Sequence, residues 1–271
     1  MNNTDLISII TPMFNAEKYI KETIESVINQ SYQNWEMIIV DNFSTDRSRE
    51  VVLGVNDSRI QLVKLDFNSG GPARPRNIGV DNSSGKYIAF LDADDLWTAD
   101  KLEKQLLFMK EENLNFSSHN AVKIDTNSVL LSKDGFLKKK FKMQKKYNIE
   151  QLVRGNFIYL SSVILEKSMF IGFNEDKKCI AVEDYYLWLQ LLNNSSIRYK
   201  FYRNDFLEYR VDENSLSNVT TDGKQEAKAI YYCLMFIFDN NRFDLVKYIN
   251  HDKINFITCL QRFFRRFSFN R

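Results

Sequence analysis

KYIAFLDADDLW, residues 86–97, joins an unbroken apolar run to a cluster of three acids. Tyr87, Ile88, Ala89, Phe90 and Leu91 follow one another without polar alternation, and Ser83-Ser84-Gly85 punctuates the start. That pattern predicts a strand buried on both faces. The strand delivers Asp92, Asp94 and Asp95 to its carboxyl end. In an open α/β sheet, ligands bind in the crevice beyond the carboxyl ends of the strands. Hard divalent cations such as Mg²⁺ or Mn²⁺ take oxygen ligands, shared between one or two carboxylates and substrate phosphates. Asp-rich turns also cap the next helix in a chain. The stretch alone therefore leaves a metal-diphosphate site and a capping turn equally open.

The segments before it supply more of the same edge. Residues 6–10 form a short Ile-rich run stopped by Thr11-Pro12, which predicts a first strand. Ile20, Ile24, Val27 and Ile28 recur at helical spacing, predicting a helix over 16–30. WEMIIV (35–40) is a second strand ending at Asp41, followed by a helix to about residue 53 with Ser44 or Thr45 as its cap. Residues 59–65 read as a third strand. Strands alternating with helices predict a mostly parallel, doubly wound α/β sheet, with the acids on its fourth strand. Between the third and fourth strands, NSGGPARPRNIG (68–79) reads as a loop. Gly70-Gly71 lets backbone approach a ligand, Pro72 and Pro75 stiffen the chain beyond it, and Arg74 and Arg76 suit phosphate or base oxygens. A solvated glycine-proline turn is the alternative, and the shared edge with Asp41 and Asp92 favours the ligand.

Downstream, helices are expected over 98–112, 149–155 and 227–239, and strands over 114–124, 158–165 and 197–211. Lysines 138, 139, 140, 142, 145 and 146 interleave with Phe136, Leu137, Phe141 and Met143; a solvated loop is the simpler reading and a flap over an anionic ligand the other. VEDYYLWLQLL (182–192) reads as a helix with Val182, Tyr186 and Leu189 on one face and Glu183 and Asp184 in its first turn. Acids there suit the helix dipole, and one of them facing a pocket would equally serve as a general base. Residues 254–271 set Phe256, Ile257, Leu260, Phe263, Phe264, Phe267 and Phe269 among Arg262, Arg265, Arg266 and Arg271. Such a segment suits an anionic membrane surface, and docking on the protein's own core is the competing reading.

With 271 residues, 44% hydrophobic and 27% charged, the chain has the composition of a globular α/β protein. Three scattered cysteines, Cys179, Cys233 and Cys259, form no CxxC pair, arguing against a disulfide framework or zinc site. No basic leader and no run of 18 apolar residues occur, so a cytoplasmic location is expected. A net charge of +2 and an acidic site edge give nucleic acid no footprint.

Taken together, these stretches resemble the family 2 glycosyltransferases of the GT-A fold, in particular bacterial enzymes building O-antigen and capsular polysaccharide. ITPMFNAEKYI (10–20), IIVDNFSTDRS (38–48), GGPARPRNIG (70–79), FLDADDLW (90–97), VEDYYLWLQL (182–191) and YRVDENSLS (209–217) are similar to that family's motifs, in family order. The resemblance implies that Pro12, Phe14, Asp41 and Arg76 hold the nucleotide base and ribose, Asp41 as acceptor for a uracil imide. It implies that Asp92 and Asp94 bind the nucleotide-sugar, that Asp94 and Asp95 bind Mn²⁺ or Mg²⁺, and that Asp184 is the catalytic base. Many relatives carry His where this chain has Asp212, and an acid there would repel a diphosphate. The implied activity is inverting, metal-dependent transfer of a hexose (Glc, Gal, GlcNAc or GalNAc) from a UDP-sugar to a lipid-linked glycan acceptor, with the enzyme peripheral at the inner face of a bacterial plasma membrane. The implied organisation is a nucleotide-sugar half (1–112), an acceptor half (113–220) and a C-terminal helical, membrane-associating segment (221–271). A nucleotidyltransferase would want a glycine-rich loop with lysine after the first strand, which ITPMFN lacks. A non-catalytic glycan or nucleotide-sugar binder is the other alternative.

Overall fold

The computed structural model describes residues 5–132, 147–212 and 224–249. Within them one nine-stranded sheet runs in the order β3-β2-β1-β4-β8-β6-β9-β5, with β7 added on β6. β1 (Ile7–Met13), β2 (Trp35–Asp41), β3 (Ile60–Lys64) and β4 (Tyr87–Phe90) are parallel neighbours, as the alternation of strands and helices predicts. The other half is mixed. β8 (Ile164–Glu166) is antiparallel to both β4 and β6 (Phe116–Ile124), β9 (Tyr199–Arg210) is parallel to β6, and the two-residue β5 (Leu96–Trp97) is antiparallel to β9. β7 (Leu130–Ser132) is antiparallel to β6.

The period of two along a strand splits each apolar run between two cores. Ile7, Ile9, Met37, Ile39, Ala89 and Leu91 face one side; Ile10, Ile38, Val40, Ile88 and Phe90 face the other. The first side is covered by α1 (Ile20–Ile28), α2 (Ser48–Leu53) and α4 (Lys101–Glu111). The second is covered by α3 (Ala73–Asp81), α5 (Ile149–Arg154), α6 (Glu183–Asn193) and α7 (Lys224–Asp239). Burial on both faces explains why these strands carry no polar alternation.

Several expectations are corrected. Residues 73–79 are not loop but the start of α3, and only 68–72 remain irregular. Gly79 lets α3 lie against β1, since a Cβ there would stand 2.5 Å from Ile10 Cγ2. α1 begins at Ile20, four residues later than expected. α2 starts from Arg47, whose side chain makes no capping bond; the Asp46 carboxylate just before it accepts from the Ser48 amide at 3.0 Å, and neither Ser44 nor Thr45 is the cap. Residues 158–163 are not strand: Leu160–Ser162 is a 3₁₀ turn. Its serines cause this, because the Ser162 hydroxyl donates to the Tyr159 carbonyl at 2.6 Å and competes with ladder pairing. α6 is buried on more than the one expected face, with Tyr185, Leu187, Trp188, Leu189 and Leu191 all inside. The lysine-rich stretch, the end of the YRVDENSLS motif and the 254–271 segment lie outside the described residues.

Candidate active site

Parallel pairing brings the ends of β1, β2 and β4 to one edge: Met13 lies beside Asp41, and Ile10 beside Phe90. Asp41 is wholly buried there. Its Oδ1 accepts from the Ser44 amide at 3.0 Å and its Oδ2 pairs with the Arg49 guanidinium. The Asp41 carboxylate therefore shapes the turn that carries Phe43 at φ 69, and offers no exposed oxygen to a base. What the edge exposes is aromatic: Phe14 after β1, Phe43 after β2 and Phe67 after β3. The backbone amide of Asn15 donates to Ser44 Oγ at 3.0 Å, tying the Phe14 and Phe43 turns together.

The turn after β4 separates its three acids by depth. Asp95 is 1% exposed. Its Oδ2 accepts from Ser161 Oγ at 2.6 Å and its Oδ1 from the Arg210 amide at 3.1 Å. Burial, then the neighbouring Asp94 and Asp92, hold its pKa well above the usual carboxylate range. Both oxygens face into protein, so Asp95, expected as a metal ligand, acts as an internal brace in this arrangement. Asp94 is half-buried, and burial followed by the Asp92 carboxylate pushes its pKa up to about 6. Asp92 keeps 31% of its side chain exposed and pairs through Oδ1 with Arg76 at 2.8 Å.

Arg76, expected at the nucleotide, is held by two acids. The structure buries its guanidinium between two carboxylates, Asp92 at 2.8 Å and Glu183 at 2.7 Å. Burial opposes its charge, but these two anions prevail and push its pKa up. The two pairs tie the turn after β4, which carries Asp92, to the start of α6, which Glu183 opens. Asp184, next in the chain, keeps part of its surface open and receives a long contact of 3.4 Å from Asn156 Nδ2. Burial, then the Glu183 charge, push its pKa up to about 7. A carboxylate so placed is half-ionised near neutrality and suited to accepting a proton. Beside Glu183, a cavity of about 140 Å³ is lined by Phe67, Ser69, Arg74, Asn174 and Lys177 among others. Glu183 Oε2 is buried without a hydrogen-bond partner.

Four residues that the motifs did not single out hold this geometry. Ser161 joins the Asp92 amide, at 3.1 Å, to the Asp95 carboxylate. Arg210, at the end of β9, donates from Nε to the Asp94 carbonyl at 2.8 Å and pairs with Glu22 at 2.9 Å. Its guanidinium lies 4.5 Å from the ring centroid of Tyr19, whose hydroxyl donates to Asp212 at 2.7 Å. Arg210 stands just before the Val211-Asp212 pair of the YRVDENSLS motif, which was its one signal in the sequence.

Residues 8–167 match the family described as Glycosyl transferase family 2. The chain is 35% identical over 213 residues to the Escherichia coli UDP-Glc:alpha-D-GlcNAc-diphosphoundecaprenol beta-1,3-glucosyltransferase WfgD, covering 79% of this chain and 80% of WfgD. It is 37% identical over 217 residues to the putative teichuronic acid biosynthesis glycosyltransferase TuaG of Bacillus subtilis (strain 168), covering 79% and 82%. Its fold matches S. aureus TarS 1-349 in complex with UDP at a TM-score of 0.66 and 21% identity, over 86% of this chain and 65% of that one, less than two thirds of it. It also matches the mannosyltransferase PcManGT from Pyrobaculum calidifontis in complex with GDP-Man and Mn2+, at a TM-score of 0.65 and 16% identity, over 89% and 65%. With its fold shared with these structures and its sequence shared with these relatives, the chain belongs to glycosyl transferase family 2 and is a glycosyltransferase of the GT-A fold.

Proposed function

We propose that the chain transfers a hexose from a UDP-sugar to a hydroxyl of a polyprenyl-diphosphate-linked glycan, with inversion and with a divalent cation, in cell-surface polysaccharide synthesis. The observation that supports this reading is the pairing of Asp92 with Glu183 through buried Arg76, which ties the acidic turn after β4 to the start of α6, where Asp184 stands. The names of WfgD and TuaG support the acceptor and pathway class.

In this reading the nucleotide base stacks at the aromatic edge of Phe14, Phe43 and Phe67. The sugar lies toward Glu183, whose unpartnered Oε2 accepts one of its hydroxyls. Asp94 with the second oxygen of Asp92 would hold the cation. Among the described residues no three Asp, Glu, His or Cys side chains cluster to enclose an ion, which fits a Mg²⁺ or Mn²⁺ whose remaining ligands are diphosphate oxygens and water. Two neighbouring carboxylates, with the Asp94 pKa pushed up to about 6 by burial and by Asp92, suit a nearby positive charge. A bound cation would stabilise the negative charge that develops on the departing diphosphate. Asp184 takes the proton of the acceptor hydroxyl as its oxygen attacks the anomeric carbon from the face opposite the diphosphate, which inverts that centre. Release of UDP from a panel of UDP-sugars, with a polyprenyl-diphosphate-GlcNAc acceptor and Mn²⁺, tests the activity. Release that needs both acceptor and cation is expected; no release from any UDP-sugar sinks the donor assignment.

No helix among the described residues is long and apolar enough to cross a membrane. We propose peripheral attachment at the inner face through the basic-aromatic 254–271 segment, on its composition alone. Deleting residues 255–271 should abolish co-sedimentation with anionic vesicles, and undiminished binding would reject that role.

A further inference from the structure

The chain enters α6 through a tight turn. The Val182 amide donates to the Cys179 carbonyl at 3.0 Å, closing a four-residue β-turn. Ile180 sits at φ −53°, ψ 134°, and Ala181 at φ 70°. These are the angles of a type II turn, whose third position needs positive φ and ordinarily takes Gly. Ala181 brings a Cβ into that region and is strained there. A type I turn over the same residues would relieve it by flipping the peptide between Ile180 and Ala181.

Two side chains of α7 bond to carbonyls of this turn. Lys228 Nζ donates to the Ile180 carbonyl, the oxygen of the peptide that would flip, at 3.2 Å. Gln225 Nε2 donates to the Ala181 carbonyl at 3.0 Å. α7 is itself anchored on α6: the Tyr186 and Tyr232 rings meet edge to face at 5.4 Å, and Tyr232 packs with Cys179 and Val182. α6 has no side-chain cap to fix its own entry. The next residues are Glu183, bound to Arg76, and Asp184.

We infer that Lys228 and Gln225 are positioning residues that hold the Cys179–Val182 turn in its type II form and so aim the first turn of α6, with Asp184, toward the acidic turn after β4. The inference rests on the reading of Asp184 as the base. α7 lies beyond the residues that match the family, so this contact is not supplied by the matched core.

The full chain carrying Gln225→Ala and Lys228→Met is compared with and without Ala181→Gly, reading kcat, donor KM and UDP affinity. Since small misplacement of a reacting group is costly, kcat of the double variant should fall about tenfold or more. Donor KM and UDP affinity should stay within about twofold, because the nucleotide edge is untouched. Ala181→Gly should restore kcat, as Gly holds a type II turn unaided, and alone it should leave kcat within about twofold. An unchanged kcat, a loss that Ala181→Gly does not repair, or UDP affinity lost in step with kcat would each overturn the inference. Asp184→Asn, assayed alongside, separates the two readings. Turnover there would reject Asp184 as the base, whereas a kcat loss repaired by Ala181→Gly would still place the turn in control of α6.

Discussion

Arg76 is the residue on which both walls of the cleft depend. Removing a partner from a buried ion pair leaves uncompensated charge, here two carboxylates at once. Arg76→Ala should therefore destabilise the chain by about 3 kcal/mol or more, read as a fall in the urea midpoint. A loss within about 0.5 kcal/mol, the range of an ordinary surface substitution, would show that the bridge is not a structural joint. Asp184 makes a separate prediction in pH. Its folded pKa of about 7 lies above the ordinary 3.8. The ionised form is the base, so kcat/KM should fall as pH drops below about 7. Stability runs the other way: the cost of the buried charge is present at high pH and is relieved as pH falls from about 7 toward 4. Asp184→Asn should thus melt higher than the wild type at pH 8, with the difference shrinking toward pH 4. A difference that grows toward pH 4 would contradict the assigned shift.

At the scale of elements, the turn after β4 is braced from two later segments, the 3₁₀ turn through Ser161 and β9 through Arg210. Ser161→Ala removes the hydroxyl between the Asp92 amide and the Asp95 carboxylate. Leaving a buried polar group without its partner costs about 1–3 kcal/mol, and the variant should show that loss in denaturant melts. Unchanged stability would argue that Asp95 is held by Arg210 alone. The same elements mark what the sequence could disclose. Runs such as those of β1, β2 and β4 are legible because burial on both faces leaves no polar residue to blur them. The 158–163 stretch looks equally apolar, yet two serine hydroxyls turn it aside, and that choice depends on Asp95 lying opposite. The start of α3 is hidden by Pro72 and Pro75, which read as loop although proline is tolerated in a first helical turn.

At the scale of the molecule, a parallel half carries the aromatic edge proposed for the nucleotide and a mixed half lies beside α6, which carries the proposed base, with one sheet continuous between them. The candidate residues were legible as types because each ends a strand or opens a helix. Their individual roles were not, since burial and pairing are long-range. Nothing local says that Asp95 turns inward while Asp94 does not, or that Arg76 is buried between Asp92 and Glu183. The cation assignment is global in its readout. Ligand binding to the folded state raises stability by about 2.7 kcal/mol at a hundredfold excess over Kd. UDP with Mn²⁺ should therefore raise the melting temperature more than either alone, and Asp94→Asn should erase the Mn²⁺-dependent part. An Asp94→Asn variant with the full Mn²⁺ effect would move the cation elsewhere.

The central claim is that Asp184 accepts the proton of the acceptor hydroxyl while the nucleotide is held at the far edge of the sheet. It is tested most directly by measuring transfer and UDP affinity on Asp184→Asn side by side. Turnover should be lower by about 10²-fold or more, with UDP affinity near that of the wild type. Turnover retained at the wild-type level would contradict it.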